Sequence, residues 1–205
     1  MNGDGARTYS SPLRAEQAAA TRQRVLDAAI VLLQEADSGD VAIPDVAARA
    51  GVSVRTAYRA FPTREDLLDG VLDEVKQRFE AIAGPHPTTV DELVESARGA
   101  VRAVFEVESL YRALFATPAG RELHRSTAPR RSAAIDAMLR AEVADLTPEQ
   151  ARRFVAIAHV MSSSRSVLFL KDYEGLGVDD AAAAVRWALA ALVAAVRDPD
   201  QRSQL

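Results

Sequence analysis

A chain of 205 residues that is 48% hydrophobic but only 5% aromatic has ample length for a core, and must build it mainly from alanine, valine and leucine. Those residues suit close-packed helices better than a sheet, so an all-α fold is expected. The absence of cysteine excludes disulfides and cysteine-held metals, and no apolar run reaches membrane-spanning length or resembles a signal-peptide core. The expectation is a soluble, cytoplasmic protein with no membrane partner. The formal net charge of −4 is unevenly spread: residues 1–61 hold seven arginines and seven acids, whereas residues 62–205 hold 18 basic and 22 acidic side chains. Charge is screened beyond about 10 Å at moderate ionic strength, so a local basic patch acts independently of an acidic remainder.

Residues 1–14 contain glycine and serine without periodicity and are expected to form a disordered arm. Over residues 15–36, Val25, Ala29, Leu32, Leu33 and Ala36 recur at helical spacing, with Arg22 and Arg24 near the helix start. Residues 46–61 divide into two short helices. Ala47 leaves room for a close crossing, Gly51 supplies the backbone a helix end commonly needs, and Ser53 offers an oxygen to the first amides of the second helix. Between Val46 and Arg64 lie Arg49, Arg55, Arg59 and Arg64 and no carboxylate. An ordinary helical hairpin uses the same ingredients singly. Their joint placement with an outward face of Arg55, Thr56, Tyr58 and Arg59, residue types that contact phosphates and base edges, points to duplex DNA, with the second helix as reader. Val52 and Phe61 are expected in the core.

The blocks Thr21-Arg22-Gln23-Arg24-Val25-Leu26-Asp27-Ala28-Ala29, Asp45-Val46-Ala47, Ala50-Gly51-Val52-Ser53, Thr56-Ala57-Tyr58-Arg59-Ala60-Phe61 and Arg64-Glu65-Asp66-Leu67-Leu68 resemble, in order and spacing, the N-terminal domain of TetR-family transcriptional regulators. The resemblance covers roughly residues 21–70. It implies a three-helix DNA-binding head (residues 15–62), a larger helical body (63–205) that dimerises, and control by a small molecule, with repression the usual outcome. Ser53, Val54, Arg55, Thr56, Tyr58 and Arg59 would then lie on the element in the major groove, flanked by Arg22, Arg24, Thr63 and Arg64 on phosphates. A two-fold dimer implies a palindromic operator. Two departures stand out: Ala42 replaces the usual threonine cap of the second helix, and Pro44 sits in its first turn, where proline is tolerated.

Thr63 and Asp66 form a capping pair before a helix whose one face holds Leu68, Val71, Leu72, Val75, Phe79 and Ile82; Gly84-Pro85-His86-Pro87 ends it. Further helices are expected over residues 90–107, 110–115, 118–124, 130–144, 148–172 and 179–196, with a break at Pro129, for about nine in all. On the 148–172 helix, Phe154, Ile157, Ala158, Met161, Leu168 and Phe169 fall in one stripe with Arg165 near its middle. Such an arginine needs either an ion-pair partner or an anionic ligand. The last helix has two apolar sides. Ala181, Val185, Ala188, Leu189, Leu192 and Val196 form one, and Ala183, Trp187, Ala190 and Ala194 form a second, suited to another copy of the chain.

Residues that could line an effector cavity are Phe79, Tyr111, Phe115, His124, Met138, His159, Ser162 and Arg165, each as readily a core or surface position. The three histidines lack metal-ligand spacing, and no nucleotide-binding glycine loop or nucleophile elbow occurs, so neither metal nor cofactor is expected. The reading is a homodimeric, all-α DNA-binding regulator. A ligand-binding protein with a degenerate head, which would lack salt-dependent duplex binding, and an all-α enzyme are the rivals.

Overall fold

Helix ends follow the local chemistry of this sequence closely. The computed structural model describes residues 12–35 and 41–203, with only the backbone of residues 123, 124, 127, 128, 130 and 131. Among these the chain forms ten helices and no strand: α1 (Pro12–Glu35), α2 (Ile43–Ala50), α3 (Val54–Ala60), α4 (Arg64–Ala83), α5 (Val90–Ala116), α6 (Pro118–Leu139), α7 (Pro148–Met161), α8 (Ser164–Asp172), α9 (Val178–Arg197) and the short α10 (Pro199–Arg202).

Several boundaries differ from expectation. The arm expected over residues 1–14 falls mostly outside the described residues, but Pro12 already opens α1, where its missing N–H costs nothing. The two segments expected over 90–115 are one continuous α5, because nothing between Val107 and Leu110 breaks the helix. Pro129 does not interrupt α6: a single proline removes one N–H from the ladder, and the turns on either side carry the helix through. Conversely, the expected 148–172 helix is broken. Ser162 closes α7, and Ser163 caps α8 by accepting from the Ser166 amide at 3.1 Å. Serine hydroxyls compete for nearby backbone groups, so a run of three offers the chain a stable way out of the helix.

The described residues divide into two compact units. One takes in the chain up to Asp73 together with Ala113–Gly120; the other takes in Glu74–Arg112 and the chain from Arg121. In the first, α1, α2 and α3 pack on one another. Its buried side chains include Val25, Leu26, Ala29, Leu33, Val46, Ala47, Ala57, Phe61, Leu67 and Val71. Phe61 fills the space above Gly70, whose absent Cβ would stand 2.8 Å from the Phe61 ring and 3.4 Å from Leu26. In the second unit the core joins Val94, Ala97, Val101 and Val104 of α5 to Phe154, Ala158, Val167, Leu168, Val185, Leu189 and Val193 of α7, α8 and α9.

Ion pairs fasten the second unit's surface. Arg197 near the end of α9 bonds both Asp91 and Glu142, which holds its guanidinium more firmly charged and the Asp91 carboxyl below its ordinary 3.8. Glu108 accepts from Lys171 and from Arg112, which also grips Asp172 at 2.7 and 2.8 Å. Partial burial pushes the Glu108 carboxyl up, but the hydrogen bonds from Lys171 and Arg112 more than offset this and leave it below the ordinary 4.5.

Candidate nucleic-acid interface and a body cavity

The helix expected to read DNA, α3, is held by its two ends and by one small residue. Gly51, at φ +65°, closes α2 in the left-handed region and donates its amide to Ala48 at 3.2 Å, while the Val52 amide reaches back to Ala47 at 3.0 Å. Ser53 then caps α3, its Oγ accepting from the Thr56 amide at 3.1 Å and lying 2.8 Å from the Thr56 hydroxyl. Within α3 only Ala57 is buried, against the side where α1 and α2 pack. The other positions are half-buried (Thr56, Ala60) or exposed (Val54, Arg55, Tyr58, Arg59). Ala42 provides no side-chain cap to α2, and its carbonyl receives the Asp45 and Val46 amides instead, at 3.0 and 3.1 Å.

Electrostatically the sequence-predicted DNA residues fall into two groups. Arg24, Arg55 and Arg59 are exposed and make no hydrogen bond or ion pair among the described residues, so their donors face water. Arg22 is exposed too, but its guanidinium lies 4.4 Å over the Phe61 ring, an arrangement that fixes its direction. Arg22 and Arg59, with Thr21 and Thr56, line a groove between α1 and α3 that also contains Ala18, Ala19 and Ala60. Neither the stacking nor the groove had a signal in the sequence, since residues 22 and 61 are brought together only by packing. By contrast Thr63 and Arg64 are engaged. Thr63 donates both its amide and its hydroxyl to Asp66, at 3.0 and 2.7 Å, and takes the Asp66 amide in return; Arg64 is half-buried, with Nε 3.3 Å from the Val41 carbonyl. Arg49 is similarly tied to Glu35 by two bonds of 3.0 Å.

The residues expected to line an effector site are only partly brought together. A cavity of about 60 Å³ lies in the second unit, bounded by Phe79 of α4, by one face of α5 and by residues from Met161 to Val167 where α7 meets α8. Phe79 and Ser162 line it; Tyr111, Met138, His159 and Arg165 do not. Phe115 belongs to the other unit, and the side chain of His124 is outside the described residues. Arg165 is exposed, because the break at Ser162–Ser163 shifts the phase of the following turn and takes it off the apolar stripe. Phe169, also past the break, is about half exposed, and so is Ile157 before it, on the outer side of α7. Sequence reading missed the α5 wall, where Ser96, Ala97 and Ala100 pass for ordinary packing residues. His159 Nε2 is buried 3.2 Å from an Asp136 oxygen, in poor geometry for a hydrogen bond.

Of the residues expected at a subunit interface, Ala183, Trp187 and Ala194 are exposed and Ala190 is half-buried, while Ala181, Val185, Leu189 and Val196 on the other side of α9 are buried. Ile157 and Val160 on α7, Phe169 on α8 and the Tyr173 stacked on it at 4.9 Å add further exposed apolar area. Among the described residues no helix is long and apolar enough to cross a membrane, and no three His, Asp or Glu side chains cluster as metal ligands would.

Residues 25–71 match the family model described as bacterial regulatory proteins, tetR family. The chain is 36% identical over 83 residues to the HTH-type transcriptional repressor LfrR of Mycolicibacterium smegmatis, covering 37% of this chain and 43% of that one. It is 37% identical over 73 residues to the HTH-type transcriptional regulator LuxR of Vibrio harveyi, covering 36% and 33%. The matches thus span less than half the length of either curated relative. In fold it is similar to NalD, the secondary repressor of the MexAB-OprM multidrug efflux pump in Pseudomonas aeruginosa, with a TM-score of 0.58 at 19% identity over 86% of this chain and 96% of that one.

Proposed function

We propose, from the match of residues 25–71 to the tetR family of bacterial regulatory proteins, that the chain is a transcriptional regulator that binds duplex DNA sequence-specifically as a homodimer and represses until a small molecule releases it. The observation that carries this reading is the outward face of α3. Arg55 and Arg59 have no protein partner among the described residues, and no carboxylate occurs in the surrounding stretch from Val46 to Arg64. Unpaired guanidinium groups on a helix that gives only Ala57 to the core suit an anionic partner.

Arg55 is assigned to base edges, preferably guanine, whose N7 and O6 match a guanidinium fork. Thr56, Tyr58 and Arg59 take phosphates, as do Arg22 and Arg24 at the flank; Val54 packs against the groove wall and Ser53 keeps the helix start in place. Thr63 and Arg64, already bonded to Asp66 and Val41, form a fixed outer edge for the backbone. The second copy covers Ala183, Trp187, Ala190 and Ala194 together with the exposed apolar residues of α7 and α8. Two heads on a two-fold axis then read a palindrome whose half-sites stand a multiple of roughly 34 Å apart.

Selection of bound duplexes from a random pool tests this directly. The expected result is enrichment of a palindrome, with affinity that falls steeply as salt rises. Recovery of random sequence without salt dependence would defeat the reading.

A further inference from the structure

Resting on the regulator reading, we infer that the effector is an uncharged, largely hydrocarbon molecule with a hydroxyl group, and that it enters the cavity between α4, α5 and the α7–α8 junction. Ten apolar residues and four serines line this cavity, and no charged side chain does. The lining therefore decides what can enter. A carboxylate or ammonium would be stripped of water with nothing to pair it, whereas hydrocarbon loses nothing on leaving water. Arg165, the cation that the sequence places on the apolar stripe, is exposed and off the lining, and no other cation lines the cavity, which removes the basis for an anionic ligand.

The serines narrow the choice further. The Ser96 and Ser162 hydroxyls spend their hydrogens on the Leu93 and Ala158 carbonyls, at 3.0 and 2.8 Å, and the Ser166 hydroxyl spends its own on Val160. Ser163, 3.0 Å from the Ser166 oxygen, must therefore donate there. Only the Ser164 hydroxyl keeps a free hydrogen among the described residues of the lining. The polar edge thus offers several accepting oxygens and one donor, a pattern answered by a hydroxyl that both accepts and donates.

Size sets the mechanism. At about 60 Å³ the cavity is less than half of the ~150 Å³ that admits benzene in an engineered core. An effector must enlarge it. Met161, with three rotatable bonds, and the helix break at Ser162–Ser163 are the walls able to yield, and Phe79 is the wall on α4, the helix whose first turns belong to the head. A ligand that stabilises the enlarged form shifts the population by its differential affinity for it.

The test uses the full chain and four probes of one skeleton: 2-phenylethanol, phenylacetate, 2-phenylethylammonium and ethylbenzene, titrated by calorimetry with thermal shift as a second readout. The expected order is 2-phenylethanol first, ethylbenzene about 5-fold weaker, and both ions at least about 30-fold weaker. Ser164→Ala should bring 2-phenylethanol down to the level of ethylbenzene, and Ala100→Leu, which fills the space, should abolish binding of both. Ions that bind as well as the alcohol, no binding by any probe, or indifference to Ser164→Ala would each overturn the inference; Ser164→Ala leaves the α8 cap on Ser163 untouched, so it decides the matter even should Ala100→Leu not fold. Duplex binding without probe is measured separately: its loss with alcohol binding intact condemns the regulator reading alone, and the reverse condemns the cavity alone.

Discussion

Replacement of Gly51 by alanine isolates one backbone angle. A Cβ built at Gly51 meets nothing within 4 Å, so the substitution adds no clash and removes no contact. Its cost comes from holding an L-residue at φ +65°, worth about 1–2 kcal/mol, and is reduced by about 0.4–1 kcal/mol because alanine also stiffens the unfolded chain. The strain exceeds the stiffening, and a net loss of about 1 kcal/mol remains. Asparagine, which tolerates the left-handed region, should lose about half as much. Hydrogen exchange of the α2 and α3 amides reads this as the opening equilibrium of the turn: about 5-fold faster exchange for Gly51→Ala, about 2-fold for Gly51→Asn, and no change in α7–α9. Exchange as slow as wild type in Gly51→Ala, or an asparagine variant worse than alanine, would refute the argument that the angle alone sets the cost.

Arg55→Ala should weaken binding to the selected duplex by about 1–3 kcal/mol while leaving scrambled duplexes nearly unaffected, whereas Arg64→Ala should weaken both alike and make the salt slope shallower; fluorescence anisotropy on the two duplexes separates the cases. Trp187 is the chain's one tryptophan and is 73% exposed, so Trp187→Glu should shift the protein from dimer to monomer in sedimentation equilibrium, and dilution of the wild type should move tryptophan emission to the red. Because Glu108 sits below its ordinary 4.5 in the folded state, its contribution is complete above that value and is lost as the pH falls through the lowered one. Urea midpoints for wild type and Glu108→Gln should therefore differ at pH 6 and converge in acid.

Where the chemistry is local, the sequence disclosed the structure. Gly51, Ser53 and the Thr63–Asp66 pair each act within three or four residues, and the helix ends at these residues stand where the sequence places them. What depends on distant packing stayed hidden. Arg165 falls on an apolar stripe in sequence because the periodicity of residues 148–172 continues across Ser162–Ser164, and periodicity does not register a change of phase at a capped break. Pro129 looks like a stop although the helix passes through it. The cavity wall on α5 is made by small residues, Ala97 and Ala100 among them, that give no sign of whether a neighbour fills the space beside them.

That α3 surrenders a single alanine to the interior gives its outer positions unusual liberty. Residues 54, 55, 58 and 59 can be exchanged almost without regard to folding, so that, on the proposed reading, a new target sequence is reachable by changing letters on one short surface while the scaffold beneath stays the same. Diversification of the recognised site and preservation of the domain are, in this chain, separate problems.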